Sequence, residues 1–291
     1  MTSPAKSAEL ISFRNRLERP IFIVSTPRSG STLLFETLSQ APDLFTVGGE
    51  SHWLIEDIPA FAPAARGWAS NRLTADDAAA VSIEQLARAF YGDLRARDGR
   101  PAKGSVRMLE KTPKNALRVP FFNTAWPNAT FIYLYRDVRQ TLASMMEAWR
   151  SGAFRTYPQL PGWTGLPWSL LLIPDWQRLN GLPLHHIIAH QWATTTDLLL
   201  DDLAKIPPER VRGIIYDDFL ASPQATIEKL ATSLDLGWDR PLGVHLPLSA
   251  TTVSRPGRDK WRAIEDAIEA VWPVVEKADT RARAFVANLQ R

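Results

Sequence analysis

The sequence predicts an α/β fold of three layers, in which a central parallel β-sheet carries helices on both faces. Short apolar runs rich in Ile, Val, Phe and Tyr alternate with longer segments of helical periodicity, which is typical of strands joined by crossover helices. The chain has 291 residues, of which 45% are hydrophobic, enough for a sizeable core. A glycine-containing turn joins the first apolar run to the first helix. Sheets of this kind bind ligands beyond the carboxyl ends of their strands.

Each predicted element follows from its local pattern. PIFIVS and TFIYLY are almost continuously apolar and predict buried strands. The predicted strands are 20–25, 44–47, 106–109, 130–135 and 211–216. The predicted helices are 31–40, 83–97, 114–125, 139–149, 185–204, 223–234 and 260–289, the last interrupted near Pro273. We expect one domain over residues 1–291, with residues 1–19 as an N-terminal arm.

Composition excludes several classes of function. The chain has no cysteine, so disulfides, thiolate zinc sites and a cysteine nucleophile are absent, and a cytoplasmic location is expected. No apolar run is long enough to span a bilayer. The formal net charge is only +3 and the charged residues of both signs are interspersed. This favours a compact anionic ligand over a nucleic acid or a membrane.

The segment TPRSGST after the first strand has the outline of a phosphate-binding loop without its usual lysine. Gly30 permits a tight turn, and the backbone N–H groups of Ser29, Gly30, Ser31 and Thr32 at a helix N-terminus form an anion nest. The guanidinium of Arg28 can replace the missing ammonium. A simple helix cap by Ser29 or Ser31 is the alternative, but it does not account for Arg28.

Polar residues also follow the other predicted strands. GGES, EKTP, RD and DD stand at the four remaining strand exits, so cations and an isolated Glu50 are expected at one edge of the sheet. A nucleoside triphosphate would require magnesium, and Asp137 after TFIYLY is a possible ligand. Arg136 precedes it, however, and indicates direct pairing with phosphate oxygens. A structural ion pair of Arg136 with Asp137 or a neighbouring carboxylate is the alternative.

PRSGST after a buried strand, together with YRDVRQTLASMM after a later one, resembles the sulfotransferases that use 3′-phosphoadenosine 5′-phosphosulfate (PAPS). The similarity is greatest to the tyrosylprotein sulfotransferase branch and its bacterial relatives, over residues 20–261. It implies a P-loop-type fold with a largely helical lid. It also implies that Arg28 to Thr32 cradle the 5′-phosphosulfate, that Arg136 and Ser144 hold the 3′-phosphate, and that no metal takes part.

The resemblance implies further roles. GGES is similar to the segment that supplies the general base, which places that role on Glu50, and EKTP places stabilisation of the leaving phosphate on Lys111. His52 stands two residues after Glu50, where the tyrosylprotein enzymes have an arginine. Because imidazole titrates near neutral pH, His52 is a second candidate for the base.

YDDFLASP and SATTVSRPGRDKW resemble two later segments of the family. They imply that Tyr216 lies near the adenine or the 3′-phosphate, that Ser249 acts on the transition state, and that Arg255 and Lys260 bind the cofactor. A second arginine of the family, expected at position 148, is absent because this position is Ala. Arg139 and Arg150 are possible substitutes.

Two clusters remain open in their interpretation. The proline-rich segment 150–184 is dense in aromatic residues, which predicts either a lid or acceptor-pocket wall, or a small core or dimer interface of its own. The six aromatic residues in this segment or directly before it are Trp149, Phe154, Tyr157, Trp163, Trp168 and Trp176. An acceptor wall would favour an apolar or aromatic acceptor with one hydroxyl. His185, His186 and His190 lack an HExxH pattern, so no metal site is predicted.

The predicted function is therefore transfer of a sulfuryl group from PAPS to a hydroxyl of a small or carrier-bound acceptor, leaving PAP. Two alternatives remain: a P-loop kinase or related nucleotide-binding protein, and a non-catalytic nucleotide-binding module. The kinase would bind ATP with magnesium, and the module would not depend on Glu50 or Lys111. A homodimer is compatible with the sequence.

Overall fold

The computed structural model describes residues 12–243, 245–254 and 257–290. In these ranges the strands are β1 Ile21–Val24, β2 Leu44–Thr46, β3 Arg95–Ala96, β4 Arg107–Lys111, β5 Thr130–Tyr135, β6 Arg155–Tyr157, β7 Trp168–Ser169 and β8 Val211–Ile215. The α-helices are α1 Phe13–Arg16, α2 Ser31–Leu38, α3 His52–Glu56, α4 Ala80–Asp93, α5 Val119–Ala125, α6 Val138–Ser151, α7 Leu184–Leu203, α8 Tyr216–Ala221, α9 Pro223–Ser233, α10 Glu265–Glu269 and α11 Trp272–Leu289.

Six strands form the central sheet in the order β3-β2-β4-β1-β5-β8. All neighbours pair in parallel except β3, which is antiparallel to β2. The five predicted strands are present. The strand β3 falls where the sequence predicted the last turn of a helix, because a two-residue edge strand is too short to show a period of its own.

Alternate residues of the central strand face two different helical layers. Ile21 and Ile23 belong to a core cluster with residues of α2 and α9, whereas Phe22 and Val24 pack with residues of α4, α5, α7 and α11. A strand covered on both faces is apolar throughout, which explains the unbroken run in the sequence. The three predicted layers are therefore observed.

The segment between α6 and α7 forms the antiparallel β6–β7 hairpin and a 3₁₀ turn at Trp176–Leu179. Trp149, Trp163, Trp168 and Trp176 contact one another edge to face, with ring centroids 4.9–6.1 Å apart. Together with α6 and α7 they form a third apolar cluster. Most of these aromatic rings thus fill a small core of their own, while Phe154 lies at the cavity described below.

The C-terminal helix predicted over 260–289 is divided into a 3₁₀ turn at Lys260–Ile264, α10 and α11. The break falls just before Pro273, which occupies the first turn of α11, where a missing N–H costs no hydrogen bond. None of the described helices combines the length and apolarity needed to cross a bilayer.

Candidate active site

A cavity of ≈ 1110 Å³ receives residues that follow β1, β2, β5 and β8. Its wall contains most of the residues singled out from the sequence: Arg28, Gly30, Ser31, Thr32, Glu50, His52, Arg136, Ser144, Tyr216, Ser249 and Lys260. Lys111 and Ser29 lie directly behind this wall, each only 1% exposed. Arg255 falls outside the described residues. The carboxyl edge of the sheet therefore brings together positions more than 200 residues apart in the chain.

The loop after β1 has the backbone of an anion-binding turn. Gly30 precedes α2 with a left-handed φ of 92°, and Arg28 has a left-handed φ of 67°. A Cβ placed on Gly30 would lie 2.1 Å from Cε2 of Tyr216. Only glycine both adopts this φ readily and lacks a Cβ, so the Tyr216 ring can pack directly against the loop backbone at Gly30. The first turn of α2 begins at Ser31 and presents its unpaired N–H groups at this point.

Arg28 connects three elements around the cavity. Its Nε donates to Ser144 Oγ of α6 at 3.3 Å, and its Nη1 donates to the carbonyl of Thr251 at 3.0 Å. Its guanidinium also lies 4.5 Å from the centroid of the Phe154 ring. Burial lowers the pKa of Arg28, as expected for a cation surrounded by protein. The hydroxyl of Ser29 instead pairs with Thr26, with the two oxygens 2.7 Å apart.

Arg136 lies over the tyrosine ring, with its guanidinium carbon 4.7 Å from the Tyr216 centroid. It donates to the carbonyl of Arg28 at 3.1 Å and to Gln140. Asp137 is not its partner: that carboxylate accepts from Gln140 N at 3.2 Å, which caps α6, and pairs with Arg283 at 3.0 Å. The alternative of an Arg136–Asp137 ion pair is therefore not observed, and Asp137 is absent from the cavity wall.

Lys111, at the end of β4, reaches the loop after β2 and the start of α2. Its Nζ donates to Glu50 Oε1 at 2.9 Å and to Thr32 Oγ1 at 3.1 Å. The Nδ1 atom of His52 lies 3.8 Å from Glu50 Oε2, which is too long for a hydrogen bond. Partial burial, and then the nearby Lys114 ammonium, lower the pKa of His52. The site thus places a carboxyl group beside an imidazole whose pKa is lowered.

Thr251 of the late loop, residues 249–260, contacts the phosphate loop, residues 26–32. Ser249 contacts Thr252 at 3.2 Å, and Thr251 Oγ1 donates to Thr32 Oγ1 at the same distance. Lys260 pairs with Glu147 of α6 at 3.1 Å. These contacts bring the predicted late-loop residues to the cavity, although Lys260 is engaged with a carboxylate.

Of the two arginines considered as substitutes at position 148, the structure brings only Arg150 to the cavity wall. Arg139 instead lies 5.2 Å from the Trp261 ring and 4.4 Å from the Trp272 ring. The prediction that Arg139 could substitute is therefore not supported, because its guanidinium is occupied between these two tryptophans.

The family model described as "Sulfotransferase family" matches residues 20–240. The chain belongs to the sulfotransferase family. A Caenorhabditis briggsae protein, named provisionally as a protein-tyrosine sulfotransferase, is 31% identical over 133 residues, which are 46% of this chain and 45% of that protein. Protein-tyrosine sulfotransferase 2 of Gallus gallus is 27% identical over 139 residues, or 47% of this chain and 36% of that one. This sulfotransferase-family chain thus spans less than half the length of either relative.

Among solved structures, a sulfotransferase from Alicyclobacillus acidocaldarius resembles this family member with a TM-score of 0.48 and 16% identity. The comparison covers 94% of this chain and 100% of that one. Within the described ranges of the present chain, no group of three His, Asp or Glu side chains could hold a metal ion.

A second charged network in this sulfotransferase-family chain was not predicted from the sequence. Glu56 of α3 accepts from Lys114 at 2.8 Å to each oxygen, from Arg118 at 2.9 Å and from the hydroxyl of Tyr157. Burial lowers the pKa of Lys114 to about 8, although Glu56 opposes this shift. Burial would raise the pKa of Glu56, but the charges of Lys114 and Arg118 outweigh it and lower that pKa.

Glu56 and Lys114 both line the cavity beside His52. The only local signal was the continuation of EKTP into KNALR, which places Lys114 and Asn115 on a short buried 3₁₀ segment and Arg118 directly after it. Such a segment has no amphipathic period, so its burial could not be read from the sequence.

Proposed function

We propose that this chain catalyses transfer of a sulfuryl group from PAPS to a hydroxyl of an acceptor. The observation that carries the proposal is that Arg28, Arg136 and Glu50 line one cavity. Two cations suit a nucleotide with two separate anionic groups, and a carboxylate in the same cavity suits removal of a hydroxyl proton. Family membership supports the reaction class.

The residues present fit PAPS. The loop backbone at Gly30, with no room for a Cβ and with the helix N-terminus of α2 behind it, suits a phosphosulfate that needs N–H donors at close approach. Arg136 and Ser144 would hold the 3′-phosphate, with Tyr216 and Lys260 beside them on the cavity wall. When bound, PAPS supplies the sulfuryl group, whose sulfur bonds to the acceptor oxygen as its bond to the phosphate oxygen breaks.

Glu50 is the proposed base. Lys111 engages its Oε1, and its Oε2 would accept the acceptor's hydroxyl proton as the acceptor oxygen bonds to sulfur. Lys111 also contacts Thr32 in the phosphate loop, so it stands between the base and the place where charge builds on the leaving group. Ser249, on the opposite loop, is proposed to donate a further hydrogen bond there.

The role of Lys111 is tested by Lys111→Ala. We expect turnover to fall by about a hundredfold or more, because a preorganised cation aimed at developing charge is lost. Binding of PAP, measured by calorimetry, is expected to persist, since Arg28 and Arg136 remain. Unchanged turnover would refute the assigned role.

Glu50 and His52 are separated by their pH profiles. Glu50→Gln is expected to lower kcat by roughly 10²–10⁴-fold at all pH values, because a general base is lost. His52→Asn should leave most of the rate and the shape of the profile intact. If the histidine variant instead removes the acidic limb of the profile while Glu50→Gln stays active, His52 is the base.

The cofactor class is tested by calorimetry of PAP and of ATP, each with and without magnesium. PAP is expected to bind without the metal, and Arg136→Ala is expected to weaken it. The position of Asp137, engaged as a helix cap and with Arg283, gives no support to a magnesium-dependent kinase. ATP binding that depends on magnesium, without affinity for PAP, would overturn the proposal in favour of that class.

We propose a hydroxylated acceptor with apolar or aromatic character, small or carrier-bound. Phe154, Leu170 and Leu171 line the cavity and support this choice, although most tryptophans of the segment pack elsewhere. Labelled PAPS with a panel of phenols, sugar alcohols and tyrosine peptides tests it; transfer confined to sugar alcohols would contradict it. Tyrosine peptides are included because relatives carry the name protein-tyrosine sulfotransferase. The cytoplasmic location stays a prediction.

A further inference from the structure

Lys111 and Glu50 come from separate parts of the chain, and their pairing needs an explanation. Sheet pairing between β2 and β4 joins Leu44 to Arg107 and Phe45 to Met108. It ends there, well short of Lys111, because β2 stops at Thr46. The loop that carries Glu50 is therefore not held against β4 by the regular ladder at the level where the two side chains meet.

A buried carboxylate, Glu110, connects the loop to β4 at this level through hydrogen bonds. Glu110 is 1% exposed, and its Oε1 accepts from Ser51 Oγ at 2.5 Å and from Thr112 Oγ1 at 2.7 Å. The backbone N–H of Ser51 also donates to Thr112 Oγ1 at 2.8 Å. Ser51 follows Glu50 directly and Thr112 follows Lys111 directly. One carboxylate oxygen thus binds the side-chain hydroxyls of the two residues that directly follow the members of the pair.

The second oxygen of Glu110 is equally committed. Asn115 donates its side-chain amide to Oε2, and its own Oδ1 accepts from Arg118 Nη1 at 3.2 Å. Because Arg118 needs that oxygen, the Asn115 amide cannot turn over without losing a bond. Each polar atom therefore has a fixed donor or acceptor role, and a fully satisfied buried network of this kind specifies one arrangement.

We infer that Glu110 is a positioning residue, which acts through Ser51 and Thr112 to hold Glu50 and Lys111 at their working separation. The inference rests on the proposed function, since it gives the pair its role. Glu110 does not line the cavity and does not touch a reacting atom; its effect is on geometry alone.

The test is a cycle of three variants. Glu110→Gln keeps the shape but places an amide donor opposite either the Asn115 amide or the two hydroxyls, all of which donate to Glu110 in the wild type. Asn115→Asp alone places two carboxylates face to face. The double variant restores a donor–acceptor pair, because the introduced glutamine amide donates to the introduced carboxylate. Arg118 also stays bonded there, and both hydroxyls donate to the remaining carbonyl oxygen.

We expect Glu110→Gln to lower kcat by roughly 10- to 100-fold, because small displacements of reacting groups have effects of this size. The Kd for PAP should change by less than about threefold, since the phosphate loop is not touched. The double variant should recover most of the lost kcat. A loss of kcat that only follows the fraction of unfolded protein, or no recovery in the double variant, would overturn the inference.

A structural measurement, together with the activity of the wild type, distinguishes failure of this inference from failure of the proposed function. Crystal structures of the wild type and of Glu110→Gln would give the separation of Lys111 Nζ and Glu50 Oε1 directly. If the wild type shows no transfer from PAPS to any acceptor, the proposed function fails and the catalytic role of Glu110 fails with it. If the wild type is active but the variant keeps both the separation and kcat, only the positioning role is refuted.

Discussion

Replacing Gly30 by alanine probes the contact between the phosphate loop and the Tyr216 ring. Two effects of this substitution should lower the free energy of unfolding. A left-handed φ of 92° strains any L-residue by about 1–2 kcal/mol. The new Cβ would also lie 2.1–2.9 Å from three ring carbons of Tyr216. Relief requires moving a buried aromatic ring, and overpacking of this kind costs about 1–3 kcal/mol.

We therefore expect Gly30→Ala to lower the free energy of unfolding by about 2–5 kcal/mol in urea denaturation. Displacement of the ring should also disturb Arg136, which stacks on it at 4.7 Å, so PAP binding measured by calorimetry should weaken. Gly48→Ala is the matched control, because Gly48 has a φ of 81° but nothing within 4 Å of its added Cβ. It should show the backbone cost alone. Equal losses in the two variants would refute the role of the ring contact.

Two further predictions concern buried charges. Asp202→Ala should destabilise the fold by about 3 kcal/mol, because it removes both bonds, of 2.7 and 2.9 Å, to the Arg72 guanidinium. Replacing the exposed neighbour Asp201 should cost less than about 1 kcal/mol in the same urea titration, and equal costs would contradict the argument. Burial lowers the pKa of Lys114 to about 8 from 10.5, so the unfolded chain binds more protons between these values and stability should rise with pH there. Lys114→Met, measured by urea unfolding from pH 8 to 10, should reduce this rise; an unchanged slope would show that Lys114 is not its source.

Local patterns predicted the elements that are long or strongly apolar. PIFIVS and TFIYLY form the centre of the sheet because burial on both faces requires apolar side chains at every position. The antiparallel strand at Arg95–Ala96 and the hairpin in the tryptophan-rich segment were not predicted. Two- and three-residue strands derive their stability from partners distant in sequence, so no local period marks them.

The candidate site, too, was predicted only in part. The loop at residues 26–32 and the arginine after TFIYLY were visible as motifs, because anion binding requires glycine, N–H groups and guanidinium at fixed spacing. Which charges pair with which was not visible. Arg28 contacts Ser144, Lys260 contacts Glu147, and Asp137 turns to Arg283 instead of Arg136. Ion pairs between distant segments depend on packing angles and side-chain lengths that a linear pattern does not contain.

The sequence by itself determined the layered α/β architecture, the anion-binding turn and the identity of the charged residues at the strand ends, because backbone sterics and burial act over a few neighbouring residues. Only the tertiary structure decided that Lys111 meets Glu50, that Tyr216 packs on Gly30, and that Glu110 binds Ser51 in the loop after β2. These contacts join positions separated by about 60 to 190 residues in the chain. Such distant positions meet only when the whole sheet and its helices have packed together.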